Sequence, residues 1–152
     1  VHDNWWRDET YINVPLPEFY SVFLAIKGGY SLGIGGDVSE PGKNPKQDAA
    51  FIPEFDIPSS MINQDSREYR IYNRSTGDDH GIHLVGYHKK DGKEWFLIKD
   101  SGRSARKGRF HGYYFFREDF IKLKMLTAMV HRDAVSDLLK KVKKKGDSKV
   151  AR

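Results

Sequence analysis

The sequence predicts an α+β fold: one helix first, then a strongly twisted, mostly antiparallel sheet that closes on itself like a barrel, and a helix near the C-terminus. Three observations carry this expectation. Apolar residues recur at helical spacing near the start, through Phe19, Val22, Phe23 and Ile26, and near the end, through Val135, Leu138, Leu139 and Val142. Between them lie short β-rich runs separated by turn residues. No internal repeat or second domain interrupts the 152 residues, so the chain divides into a body, 1–135, and a basic helical tail, 136–152.

Taken in order, residues 2–13 are aromatic-rich and irregular, and Trp5 and Trp6 are too apolar for both to be left in water at little cost. Val14-Pro15-Leu16-Pro17 is extended, because a residue before proline is pushed from helical angles. Pro17 then opens a helix over 17–27, where its missing N–H costs nothing, and Gly28-Gly29 stops it. Residues 30–35 read as a strand entering a turn-rich loop. Gly33, Gly35 and Gly36 fit neither a dinucleotide fingerprint nor a P-loop, so the simplest reading is a turn leaving a buried strand.

Pro53 and Pro58 prevent any long element over 49–60. Residues 60–70 read as a short polar helix covering the approach to the next hairpin, with Arg67, Glu68 and Arg70 a solvated face. Strand runs follow at 81–87 and 94–99. A basic loop at 101–112 leads to an aromatic strand at 113–116, a turn at 117–119, and a last strand at 123–131 with Leu123, Met125, Thr127 and Met129 on one side. Residues 134–145 form the closing helix.

The sequence contains no cysteine, which excludes disulfides, thiolate metal sites and a cysteine nucleophile within it, while leaving the compartment open. Its net charge of +5 sits largely in the lysine-rich end, read as a solvated helix end. No apolar run is long enough for a membrane helix and no secretory signal is visible, so a membrane partner is not expected. The chain begins at Val1 rather than methionine, from which we expect processing or excision from something longer.

The chemistry concentrates in 78–102. His80 opens one strand of a hairpin and Asp100 closes the other. A histidine at the start of a strand is most simply structural, but a paired acid suggests an imidazole with its orienting partner. If Asp91-Gly92 forms a two-residue loop, His80 and Asp100 lie on opposite faces. A three-residue loop, Lys90-Asp91-Gly92 with Gly92 left-handed in a bulge, brings them to one face. The sequence Lys-Asp-Gly-Lys suits either. His83 is three positions from His80 and projects to the other face, so the two do not readily share a metal, and neither metal nor cofactor is expected.

The hairpin segment from His80 to Tyr87 resembles the strand around the catalytic histidine of papain-like cysteine peptidases. The run from Trp95 to Gly102 resembles that family's next strand, which ends in Lys-Asn-Ser-Trp-Gly, and Gly112-Tyr113-Tyr114-Phe115 is similar to its following Gly-Tyr strand. Residues 116–135, Tyr11-Ile12-Asn13-Val14-Pro15-Leu16 and Gly36-Asp37-Val38-Ser39-Glu40 look most like the bleomycin hydrolase (aminopeptidase C) branch.

The resemblance implies the C-terminal, right-hand half of such an enzyme, with His80 and Asp100 catalytic and Asp79 and Gly81, which flank His80, contacting substrate. It further implies peptide substrates, a partner half bearing the nucleophilic cysteine, possible aminopeptidase activity and assembly into a homo-oligomeric ring. Three departures stand out. The cysteine-bearing half is absent, Asp100 replaces the family asparagine, and Gly102 follows Ser101 where the family has a tryptophan that shields the histidine–amide contact. The lysine-rich end also does not resemble the branch's C-terminal arm. Two other readings remain: a catalytically dead peptide-binding relative, and a nucleic-acid-binding module using Arg103, Arg106, Lys107, Arg109 and the tail with Tyr113 and Phe115. The regular alternation of the aromatic strand speaks for burial instead, so no nucleic-acid partner is expected.

Overall fold

The computed structural model describes residues 10–39 and 42–142. Trp5, Trp6 and the lysine-rich end beyond 142 lie outside the described residues. The fold is α+β, as expected, and is built on one seven-stranded mixed sheet. In chain order its strands are β1 (Leu32–Gly36), β2 (Lys43–Asn44), β3 (Ala49–Ala50), β4 (His80–Lys90), β5 (Lys93–Lys99), β6 (Tyr113–Arg117) and β7 (Met125–Met129). They are ordered β2-β3-β6-β5-β4-β1-β7 across the sheet, with only β3 and β6 parallel. Among the described residues the expected barrel closure is not found: the hydrogen-bonded order ends at β2 on one side and β7 on the other.

Helix α1 (Leu16–Phe23) begins after Pro15, whose carbonyl accepts the Phe19 N–H at 2.8 Å. Its Leu16, Phe19, Val22 and Phe23 face the core. The helix expected to reach residue 27 instead tightens into a 3-10 turn over Leu24–Gly28, and Gly29 then closes it at φ 87°. Only glycine takes that left-handed angle without a Cβ penalty. Helix α2 (Gln64–Tyr72) starts later than expected because Asn63 caps it, its side chain accepting from Ser66 N while Ser66 Oγ accepts from Asn63 N.

The solvated face expected for α2 is corrected by its packing. Arg67 is buried, donates to Lys122 O at 3.0 Å and lies over the Phe19 ring. Glu68 accepts from Gln64, and Arg70 pairs with Asp56 at 2.9 Å. The long guanidinium stem of Arg67 is apolar enough to pack while its head finds a carbonyl.

The turn expected at 117–119 is instead the start of a further helix, α3 (Glu118–Lys124), which buries Phe120, Ile121 and Leu123. Leu123 therefore belongs to this helix and not to the last strand. In β7, Ala128 packs towards the core, whereas Thr127 and Met129 flank Gly35 and Gly33 on the opposite face. The glycines of β1 answer to this neighbourhood. A Cβ on Gly36 would lie 2.7 Å from Met125 Cα and closer still to Lys124 O, so the junction of α3 and β7 seats directly on the strand.

The hairpin differs from the expected three-residue loop. Lys90 pairs with Lys93, leaving the two-residue turn Asp91-Gly92 with both φ angles positive, at 51° and 74°. That geometry matches the right-handed twist of the flanking strands, and Asp and Gly tolerate it. The register changes farther along. Leu84 pairs with Ile98 and Gly86 with Leu97, so Val85 is an extra, unpaired residue in β4. This bulge shifts every position before it by one and restores His80 to the face of Asp100.

Glu94 on β5 fastens α1 and its 3-10 extension to the hairpin. Its carboxylate accepts from Tyr20, from Tyr87 at 2.9 Å and from Lys27 at 2.6 Å. Burial opposes its ionisation, but the hydrogen bonds from Lys27, Tyr20 and Tyr87 outweigh burial and hold its pKa at about 2. A carboxylate depressed below its ordinary 4.5 stabilises the fold above that pH, and the contribution is lost as pH falls towards 2.

Two outcomes follow. Urea unfolding of the native chain should lose on the order of 3 kcal/mol more than Glu94→Gln between pH 4.5 and pH 2, and parallel acid limbs would contradict the clamp. At neutral pH, Gly36→Ala should cost roughly 1–3 kcal/mol. Gly77→Ala, whose added Cβ meets nothing within 4 Å, should change stability by less than about 0.5 kcal/mol.

Candidate functional site

The corrected register places His80, Ile82 and Leu84 on one face of β4, with Ile98 and Asp100 beside them. His80 Nε2 lies 2.7 Å from Asp100 Oδ1. The two differ sharply in exposure: the Asp100 side chain is 1% exposed and that of His80 30%. A buried carboxylate must have its lone pairs occupied. Oδ1 also accepts the Gly102 N–H at 2.7 Å, and Oδ2 accepts the Tyr114 hydroxyl at 2.8 Å. Burial would raise the Asp100 pKa, but the hydrogen bonds from His80, Gly102 and Tyr114 prevail and lower it. Tyr114, in turn, is pushed up by burial and by its bond to Asp100, so it stays a donor.

An ionised carboxylate only accepts, so Nε2 of His80 carries the proton in this contact. In the neutral ring, Nδ1 is then the acceptor. Among the described residues Nδ1 has no hydrogen-bond partner, and no serine or threonine hydroxyl bonds to the ring. The pair is therefore an oriented, partly exposed imidazole able to take or give a proton at Nδ1.

The segment leading into His80 is held by a buried ion pair. Lys124, fully buried, donates to Asp37 Oδ2 at 3.3 Å and to Ser75 O at 3.2 Å. Asp37 Oδ2 also accepts the Gly77 N–H at 3.4 Å. Next to His80, Asp79 donates its N–H to Gly36 O and accepts the Val38 N–H on Oδ1 at 3.0 Å. Asp78 has its pKa raised, first by burial and then by the charge of Asp79.

The residues expected from sequence are thus unequally placed. His80 and Asp100 meet directly. Asp79 is adjacent but bonded to backbone. Gly81 lies on the opposite face, paired with Gly35, and a Cβ there would meet nothing within 4 Å. His83 shares that face, as expected from its separation. The face borders an open groove of about 1690 Å³ lined by Gly33, Gly35, Gly81 and His83 and reaching Asp78 and Ser101. Neither His80 nor Asp100 lines it, so the groove flanks the pair and does not contain it.

Three features of the site were not foreseen: the Tyr114 hydroxyl, the Gly102 N–H and the ammonium of Lys43, 3.8 Å from Asp100 Oδ2. Tyr114 could have been found from the alternation of β6, since it is Tyr114 and Phe116, not Tyr113 and Phe115, that point inward. With the tryptophan missing, the His80 side chain is 30% exposed while the acid itself stays covered. These groups bury Asp100 without an indole.

No protein-family model matches the chain, and no curated protein is significantly similar to it. Among the described residues, no helix is long and apolar enough to cross a membrane.

Truncating the acid should be costly. Asp100→Ala leaves the buried Tyr114 hydroxyl and the part-buried Gly102 N–H without their acceptor, and should lower stability by on the order of 3 kcal/mol in urea unfolding at pH 7. Asp100→Asn, which keeps an acceptor oxygen, should lose less. Equal losses would mean that the carboxylate's hydrogen bonds do not hold this end of the sheet.

Proposed function

We propose that this chain supplies the general acid–base half of a papain-like cysteine peptidase, with His80 as the imidazole and Asp100 as its orienting acid. The thiolate comes from a polypeptide segment outside residues 1–152, because the sequence has no cysteine. One observation carries the reading: Nε2 is tied to a buried acid while Nδ1 of a partly exposed ring has no partner among the described residues.

In the proposed reaction a thiolate held opposite Nδ1 attacks the peptide carbonyl, forming a carbon–sulfur bond and a tetrahedral oxyanion. Collapse breaks the carbon–nitrogen bond, and the imidazolium gives its Nδ1 proton to the departing amine. The neutral ring then takes a proton from water, which attacks the thioester, and the thiolate is released with that proton back on His80. Asp100 keeps the ring's orientation through both steps and favours the imidazolium electrostatically. Aminopeptidase specificity belongs to the same proposal, through the resemblance to the bleomycin hydrolase branch.

The test is made on the native protein that contains this sequence, treated with an epoxide inhibitor directed at activated thiols. Mass spectrometry should find one labelled cysteine outside residues 1–152, with peptide hydrolysis lost in proportion to labelling. His80→Ala should lower kcat/KM by at least about a thousandfold. A protein that binds peptides yet resists the label and hydrolyses nothing would be a binding relative instead, and retained hydrolysis in His80→Ala would end the proposal.

A further inference from the structure

An acid at a buried position that orients a histidine creates an electrostatic problem. The negative charge is removed from water, and it favours the protonated ring over the neutral one. The compensation lies on the far edge of the sheet. Lys43 on β2 places Nζ 3.8 Å from Asp100 Oδ2, and its side chain is only 7% exposed. It donates to Ser104 Oγ at 3.2 Å and sits over the Tyr114 ring, 4.7 Å from its centre. An ammonium is drawn into so enclosed a place only where its charge is answered. Tyr114 and Ser104 are neutral, whereas Asp100 is an acid within ion-pair distance of it.

We propose that Lys43 is a positioning residue that neutralises Asp100 and so sets how readily His80 takes up and releases its proton. With Lys43 in place the acid and the ammonium together carry no net charge. Asp100 then keeps its role as a hydrogen-bond acceptor for the ring while its charge is partly offset. This accounts for an aspartate where the resembled family has a neutral amide: the pair Lys43–Asp100 replaces one uncharged residue. The inference deepens the proposed function, since it concerns the same imidazole, but it is read from the ring itself and needs no nucleophile.

Other charged or titratable groups belong to the elements packed around His80. Asp78 and Asp79 precede it, Asp37 follows β1 and is paired with Lys124, Tyr114 lies on β6, and Arg103 follows Asp100 in an exposed turn. None of them changes in the substitutions used.

The experiment follows the His80 ring resonances of this chain by NMR from pH 4 to 9, with His80→Gln to assign them. In Lys43→Met the midpoint should rise by about 1 unit, a tenfold gain in proton affinity, and Lys43→Arg should return it towards the native value. A Lys43→Met midpoint within about 0.3 unit of native overturns the inference, whatever the outcome of the peptidase tests. Should Lys43→Met fail to fold, Lys43→Met/Asp100→Asn decides: restored folding supports the charge pairing. Failure of that double variant, where Asp100→Asn alone folds, overturns it.

Discussion

A side chain on a strand faces one of two sides, and a single unpaired residue decides which side His80 takes. Val85 is the extra residue of β4. Without it, the tight Asp91-Gly92 turn would turn His80 to the groove side, the face that Gly81 and His83 now occupy, away from Asp100. The site, the burial of the acid and the reach of Tyr114 all depend on that one shift in register. Gly86 supports it, because a Cβ there would crowd Leu97 on the neighbouring strand.

Electrostatics then determines what the site can hold. Asp100 is buried at the sheet's end with its oxygens engaged by an imidazole, a backbone N–H and a phenol, and with an ammonium nearby. A second buried pair, Asp37 with Lys124, ties the segment before His80 to the end of α3. Each acid gathers groups from several elements, which fixes the ring at Nε2 and leaves its other nitrogen without a partner among the described residues. Rigidity on one side and access on the other is the arrangement that acid–base chemistry requires.

Much of this was legible in the residues. The helix after Pro15, the aromatic strand and the hairpin follow from local pattern and spacing, and the meeting of His80 with Asp100 was expected. The predicted reason for that meeting was wrong even though the outcome was right, because Lys-Asp-Gly-Lys allows two loops and the bulge lies where Val85-Gly86 carries no turn signal. Helix α3 was read as a turn because its first residues, Glu118 and Asp119, are common in both. Arg67 looked solvated because its burial depends on Phe19 and on a carbonyl of α3.

The sequence by itself determined the local elements and the two chemistry-bearing residues, since propensity, proline geometry and spacing act over a few positions. Only the tertiary structure decided the open seven-stranded order, the side on which the barrel fails to close, and the placing of Tyr114 and Lys43 against Asp100. Those depend on β3 lying parallel to β6, which carries β2 and its lysine across the sheet to the acid. Contacts between residues 57 positions apart leave no local pattern, and the charge that balances His80's partner could be found only where the strands meet.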